Sequence, residues 1–88
     1  MFSLGKTVAT PLALDVMKKS AISPAELLTR HMQGDWGVIN QGDEGLNEHA
    51  LATGGKIVSV YHINTWETIW VITAPDRSST TLLLPEEY

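Results

Sequence analysis

The chain predicts an α+β fold in which two or three short helices pack on one face of a three- to four-stranded antiparallel β-meander. Three observations lead there. Residues 56–88 carry three runs of β-branched, aromatic and aliphatic residues separated by turn chemistry. Thr10-Pro11 and Ser23-Pro24 each set a capping hydroxyl ahead of a proline, the mark of a helix start. After both caps, apolar residues recur at helical spacing.

In chain order, residues 7–10 form a short strand or an extended lead-in, able to add a fourth strand. A first helix is expected over 11–19, with Leu12, Val16 and Met17 on one face and Lys18 and Lys19 near the C-terminal end, where cations are favourable. Ser23-Pro24-Ala25-Glu26 has the capping-box pattern, and Ile22 and Leu27 are placed for a hydrophobic staple. The second helix then shows Leu27, Leu28, His31 and Met32 on one face and stops at Gly34. Gly34-Asp35-Trp36-Gly37 is a turn. A third helix over about 44–53 takes Asp43 as its cap, has a weak apolar edge of Leu46, Ala50 and Leu51, and ends at Gly54-Gly55.

In the meander, a turn beginning at Asn64 would set Ile63 opposite Thr68, Tyr61 opposite Trp70 and Ser59 opposite Ile72. Pro75 and Asp76 mark the second turn and Thr73 faces Thr80. Alternation then gathers Val58, Val60, Ile69, Val71, Leu82 and Leu84 on an aliphatic face for the helices. Ser59, Tyr61, Trp70, Ile72, Thr81 and Leu83 fall on the opposite, mixed face. The last strand would leave an edge at Leu82-Leu83-Leu84, covered by residues 7–10 or paired with a second chain; a homodimer is the expectation.

Length and composition bound the function. At 88 residues and 9.6 kDa the chain is read as a single domain, 1–88, with a small core. Without cysteine it has no disulfide, thiolate zinc site or cysteine nucleophile. A net charge of −4 with no basic stripe disfavours phosphate-led nucleic-acid binding. No stretch approaches a membrane span or a signal-peptide core, so a cytoplasmic protein is expected. His31, His49 and His62 match no metal-ligand spacing, there is no nucleophile elbow and no glycine-rich phosphate loop, and so no catalytic residue, cofactor or metal is assigned.

Several segments carry a resemblance: Arg30-His31, Gly34-Asp35-Trp36-Gly37, Asn47-Glu48, Gly55, Ser59 with Tyr61, Trp70-Val71-Ile72-Thr73, Asp76-Arg77-Ser78, and Thr80 through Tyr88. Together they resemble a family of small bacterial proteins met on plasmids and other mobile elements, sometimes labelled plasmid-related or type I restriction-associated. Trp66 and Pro75, both in turns, depart from that pattern. The resemblance implies a mobile-element setting and no established activity. With no catalytic constellation, the expected function is a protein-binding module, an accessory or counter-defence factor contacting a host or self-encoded protein. The alternative is a nucleic-acid-associated accessory of a restriction or plasmid-maintenance system, against which the charge argues.

The candidate contact residues are Trp36, Tyr61, Trp70, Asp76 and Arg77, because tryptophan, tyrosine and arginine are the usual interface anchors. The competing reading for Arg77 is an ion pair with Asp35 or with the terminal carboxylate, and for Asp76 a turn cap. For Trp36, held between two glycines, it is a plug over a core edge.

Overall fold

A computed structural model describes residues 2–88. The order is β1 (Lys6–Ala9), α1 (Pro11–Lys19), α2 (Pro24–Met32), α3 (Gln41–Thr53), β2 (Ile57–His62), β3 (Thr68–Thr73), β4 (Ser79–Leu83) and a single 3₁₀ turn, Pro85–Glu87. The α+β class holds, but the sheet is mixed. Strands β2, β3 and β4 form the meander, while β1 adds to β4 in parallel, giving the order β1-β4-β3-β2. β1 thus covers the edge of β4 that the sequence leaves open.

Both prolines stand at helix starts with working caps. The Thr10 hydroxyl accepts from the Ala13 N–H at 3.1 Å and the Ser23 hydroxyl from the Glu26 N–H at 3.2 Å. Helix α2 ends in a Schellman motif: Gly34, at φ 86°, donates to the His31 carbonyl and Asp35 to that of Arg30. Helix α1 ends the same way with the wrong residue for it, since Ala21 takes the left-handed position at φ 56° while its N–H and that of Ile22 reach Lys18 and Met17. Ala21→Gly is therefore expected to stabilise the protein by about 0.5–1 kcal/mol, read as a raised thermal midpoint. An unchanged midpoint would show that this end of α1 carries no strain.

Helix α3 begins three residues before the expected point. Asn40, not Asp43, is its cap: the Asn40 Oδ1 accepts from the Asp43 N–H at 2.8 Å, which leaves Gln41, Gly42 and Asp43 inside the first turn.

The register of the first hairpin also differs, by one residue. Tyr61 pairs with Ile69, Ser59 with Val71 and His62 with Thr68. The cause is the Asn64 side chain, whose Oδ1 accepts from the N–H groups of both Trp66 and Glu67, while Ile63 bonds to the Glu67 carbonyl. These bonds close an odd-numbered loop, and a one-residue slip turns every side chain of β2 over. The face under α1 and α2 therefore carries Ile57, Ser59, Tyr61, Ile69, Val71, Thr73, Thr80 and Leu82, all buried. Val58 and Val60 go to the opposite face. The second hairpin keeps its expected register, with Thr73 opposite Thr80.

Two apolar clusters follow. The larger joins Ala13 and Met17 of α1 and Leu27 of α2 to Tyr61, Ile69, Val71, Leu82 and Leu84; the smaller joins Trp36, Ala50 and Ile57. Helix α3 does not join the layer over the sheet. It runs beside β2, where the Asn47 side-chain amide donates to the Val58 carbonyl at 2.7 Å and accepts from the Val58 N–H at 3.0 Å. The next outward backbone groups, on Val60, are taken by Trp36 and Val38. That edge of the sheet is closed.

Candidate functional site

The Gly34-Asp35-Trp36-Gly37 segment is built by Asp35. One carboxylate oxygen accepts from the Arg30 Nε–H at 2.6 Å and the other from the Gly37 N–H at 3.2 Å. The bond from Arg30 holds the Asp35 carboxyl below the usual carboxylate range. The Asp35 carbonyl takes the Tyr61 hydroxyl at 2.5 Å, and the Arg30 guanidinium lies 4.4 Å from the centre of the Tyr61 ring. Burial pushes the Tyr61 hydroxyl pKa up to about 12. Gly37, at φ 75°, passes so close to β2 that a Cβ would strike the Val60 carbonyl.

These contacts take two expected anchors out of reach. Tyr61 is 1% exposed and Trp36 7% exposed, both on the helix side of the sheet. Trp36 is the plug of the alternative reading, packed against Phe2 and edge-on to His31. Asp76 is exposed, and its Oδ1 accepts from the Ser78 N–H at 3.0 Å, the turn bond its sequence context predicts. Arg77 meets neither Asp35 nor the terminal carboxylate. Its guanidinium donates to four carbonyls, those of Gly55 (2.6 Å), Ala50 (2.9 Å), Ala74 and Pro75 (3.2 Å each), and so fastens the β3–β4 turn to the end of α3. The five residues form no common surface.

Trp70 alone among the large candidates stands on the face turned away from α1 and α2, where it is half-buried. It lies opposite Val60 on β2 and Leu83 on β4. The Tyr88 ring packs beside it at 5.3 Å, and the Tyr88 hydroxyl accepts from the Lys56 ammonium at 2.5 Å. Between this face and α3 runs a groove of about 280 Å³ lined by Ile39, Asp43, Leu46, Val58, Val60 and Trp70, with Asn47 and Lys56 at its sides. The floor is apolar, with one carboxylate and one ammonium at the rim. A volume this small suits one inserted side chain more than a whole small molecule, for which about 300–1,000 Å³ is usual. Sequence reading named only Trp70 here. Val58 and Val60 were hidden by the register slip, and Lys56, Tyr88 and Leu46 come from segments that no short-range pattern links.

One pair has the outward form of a catalytic dyad. The Ser59 hydroxyl lies 2.5 Å from His31 Nδ1, yet both side chains are wholly buried. The other ring nitrogen, Nε2, meets the Thr73 hydroxyl at 2.9 Å, Thr73 meets Thr80 at 2.7 Å, and Thr80 donates to the Leu4 carbonyl at 2.7 Å. A carbonyl only accepts, so each hydroxyl in the relay has its one proton assigned in turn: Thr80 to Leu4, Thr73 to Thr80, Nε2–H to Thr73, and Ser59 to Nδ1. His31 is thereby fixed as the neutral Nε2–H tautomer. Burial without a charged partner lowers its pKa to about 4. This relay knits the core.

Among the described residues no cluster of three or more potential metal ligands gathers, and no helix is long and apolar enough to cross a membrane. Comparison of the chain with protein-family models, with curated proteins and with solved structures finds no match.

Proposed function

We propose that the chain is a small protein-binding module that acts by contact, with the groove floored by Trp70 as its grip. The observation that supports this reading is the sheet face turned away from α1 and α2: Val58, Val60, Trp70 and Ile72 lie outside both apolar clusters and are half-buried, and Leu46 stands 66% exposed at the groove's lip. Apolar side chains rimmed by polar ones are the usual anatomy of a contact site. The partner would insert one apolar side chain and set a cation beside Asp43, which suits a chain of net charge −4. On the resemblance to mobile-element proteins, the partner would be a host or self-encoded protein and the module an accessory or counter-defence factor.

The test is Trp70→Ala beside Trp66→Ala, the latter removing the 90% exposed tryptophan at the hairpin tip. With folding confirmed by circular dichroism, Trp70→Ala is expected to weaken capture of the host partner by at least about tenfold, while Trp66→Ala leaves it unchanged. Equal capture by both variants and the wild type would remove the groove as the site. Capture of duplex DNA that falls steeply with salt would replace the reading with the nucleic-acid one.

A further inference from the structure

The sheet has one closed edge and one open one. On the open side, Lys6 and Thr10 donate their N–H groups inward to the Ser78 and Leu82 carbonyls, and Val8 lies between them in the same phase. Strand alternation therefore turns the N–H and C=O groups of Thr7 and Ala9 outward, where no hydrogen bond meets them among the described residues. Val8 is 40% exposed beside them, and Leu12 and Leu14, on the helix that follows directly, are 58% and 44% exposed.

We infer that β1 pairs antiparallel with β1 of a second copy of this chain, centred on Val8, so that the two sheets become one. The outward groups permit this register directly: Thr7 of each copy exchanges backbone bonds with Ala9 of the other, and the two Val8 side chains meet on the twofold axis. Charge selects a second copy over an unrelated strand. Lys6 of one copy falls opposite Thr10 of the other, whose hydroxyl donates to the Glu87 carboxylate at 2.6 Å. Neither Lys6 nor Glu87 has an ionic partner within its own chain among the described residues, and the twofold supplies the pair twice while keeping the two lysines apart. Because Asn47 and the Trp36–Val38 bridge close the opposite edge, association stops at two copies and does not grow into a filament. Pairing through so short a strand falls below the usual ~800 Å² per partner, so the dissociation constant should be on the order of 10 μM.

Sedimentation velocity over a concentration series tests this. The wild type should pass from monomer to dimer as concentration rises. Thr7→Pro should stay monomeric with its thermal midpoint unchanged, since the Thr7 N–H takes no part in the β1–β4 ladder and an outward-facing edge position accepts proline. Val8→Lys should also stay monomeric, because the two ammonium groups would meet on the axis, and it decides the matter if Thr7→Pro disturbs the fold. Lys6→Glu should weaken association by about tenfold through repulsion with Glu87. Trp70→Ala should leave association intact, which separates this contact from the groove. A wild type that remains monomeric throughout, or a dimer that survives Val8→Lys, overturns the proposal.

Discussion

Replacing Arg77 by alanine is expected to lower the stability of the protein by about 3 kcal/mol, the scale of losing charge-assisted bonds and leaving carbonyls unpaired. The guanidinium is half-buried and its acceptors come from three places: Ala50 in the last turn of α3, Gly55 before β2, and Ala74 and Pro75 in the turn. Lysine should restore less than half of the loss, because a single ammonium cannot span acceptors that a planar fork reaches together. Glycine should be the better replacement than alanine by about 1 kcal/mol, since residue 77 sits at φ 61°, where a Cβ is unfavourable. Urea midpoints of the three variants measure the series. A midpoint for Arg77→Ala equal to that of the wild type would show that the turn holds without the guanidinium.

The second large effect belongs to His31. Its folded pKa of about 4 lies below the ordinary 6.5, so between those values the unfolded chain takes up a proton that the folded chain refuses. Stability is fully present above pH 6.5 and falls as pH drops toward 4, by about 1.4 kcal/mol per pH unit at most and about 3 kcal/mol in all. The carboxyls of Asp35, Asp76 and Glu87, each held below its ordinary value by hydrogen bonds, lose their contributions only at lower pH. The histidine window can therefore be read separately. His31→Gln, which keeps hydrogen-bonding groups toward Ser59 and Thr73 without the titration, should flatten the pH dependence whatever its absolute stability. A wild-type midpoint that stays level from pH 6.5 to 4.5 would contradict the buried neutral tautomer.

What the sequence made legible was local. Thr10-Pro11 and Ser23-Pro24 fix two helix starts because a hydroxyl and a proline act on their own next few residues. The three β-runs are visible because their side chains suit a pleated surface. Register was lost to a single side chain: Asn64 accepts from two successive N–H groups, and nothing in the run of apolar residues announces an odd loop. That one slip moved Tyr61 into the core and brought Val58 and Val60 out. The parallel pairing of β1 and the seat of α3 depend on Thr80 and Val58, partners far along the chain, and distance in sequence carries no local signal. Of the groove, only Trp70 was nameable, because a large aromatic is visible by itself whereas Lys56, Leu46 and Tyr88 acquire meaning only when brought together.

The pairing of β1 with β4 also bears on the order in which the sheet closes. Leu4 and Thr80, joined through the end of the relay, stand 76 residues apart, so β1 has no sheet partner until β4 is present. His31 can already meet Ser59 and Thr73, but the Thr73 hydroxyl has to wait for Thr80. The helices and the β2–β3 hairpin can form on the way, but the Thr73–Thr80–Leu4 end of the relay forms only once β4 and the segment before β1 come together. Closure of β1 onto β4, the pairing of longest sequence separation in the sheet, is accordingly expected to be a late step of folding.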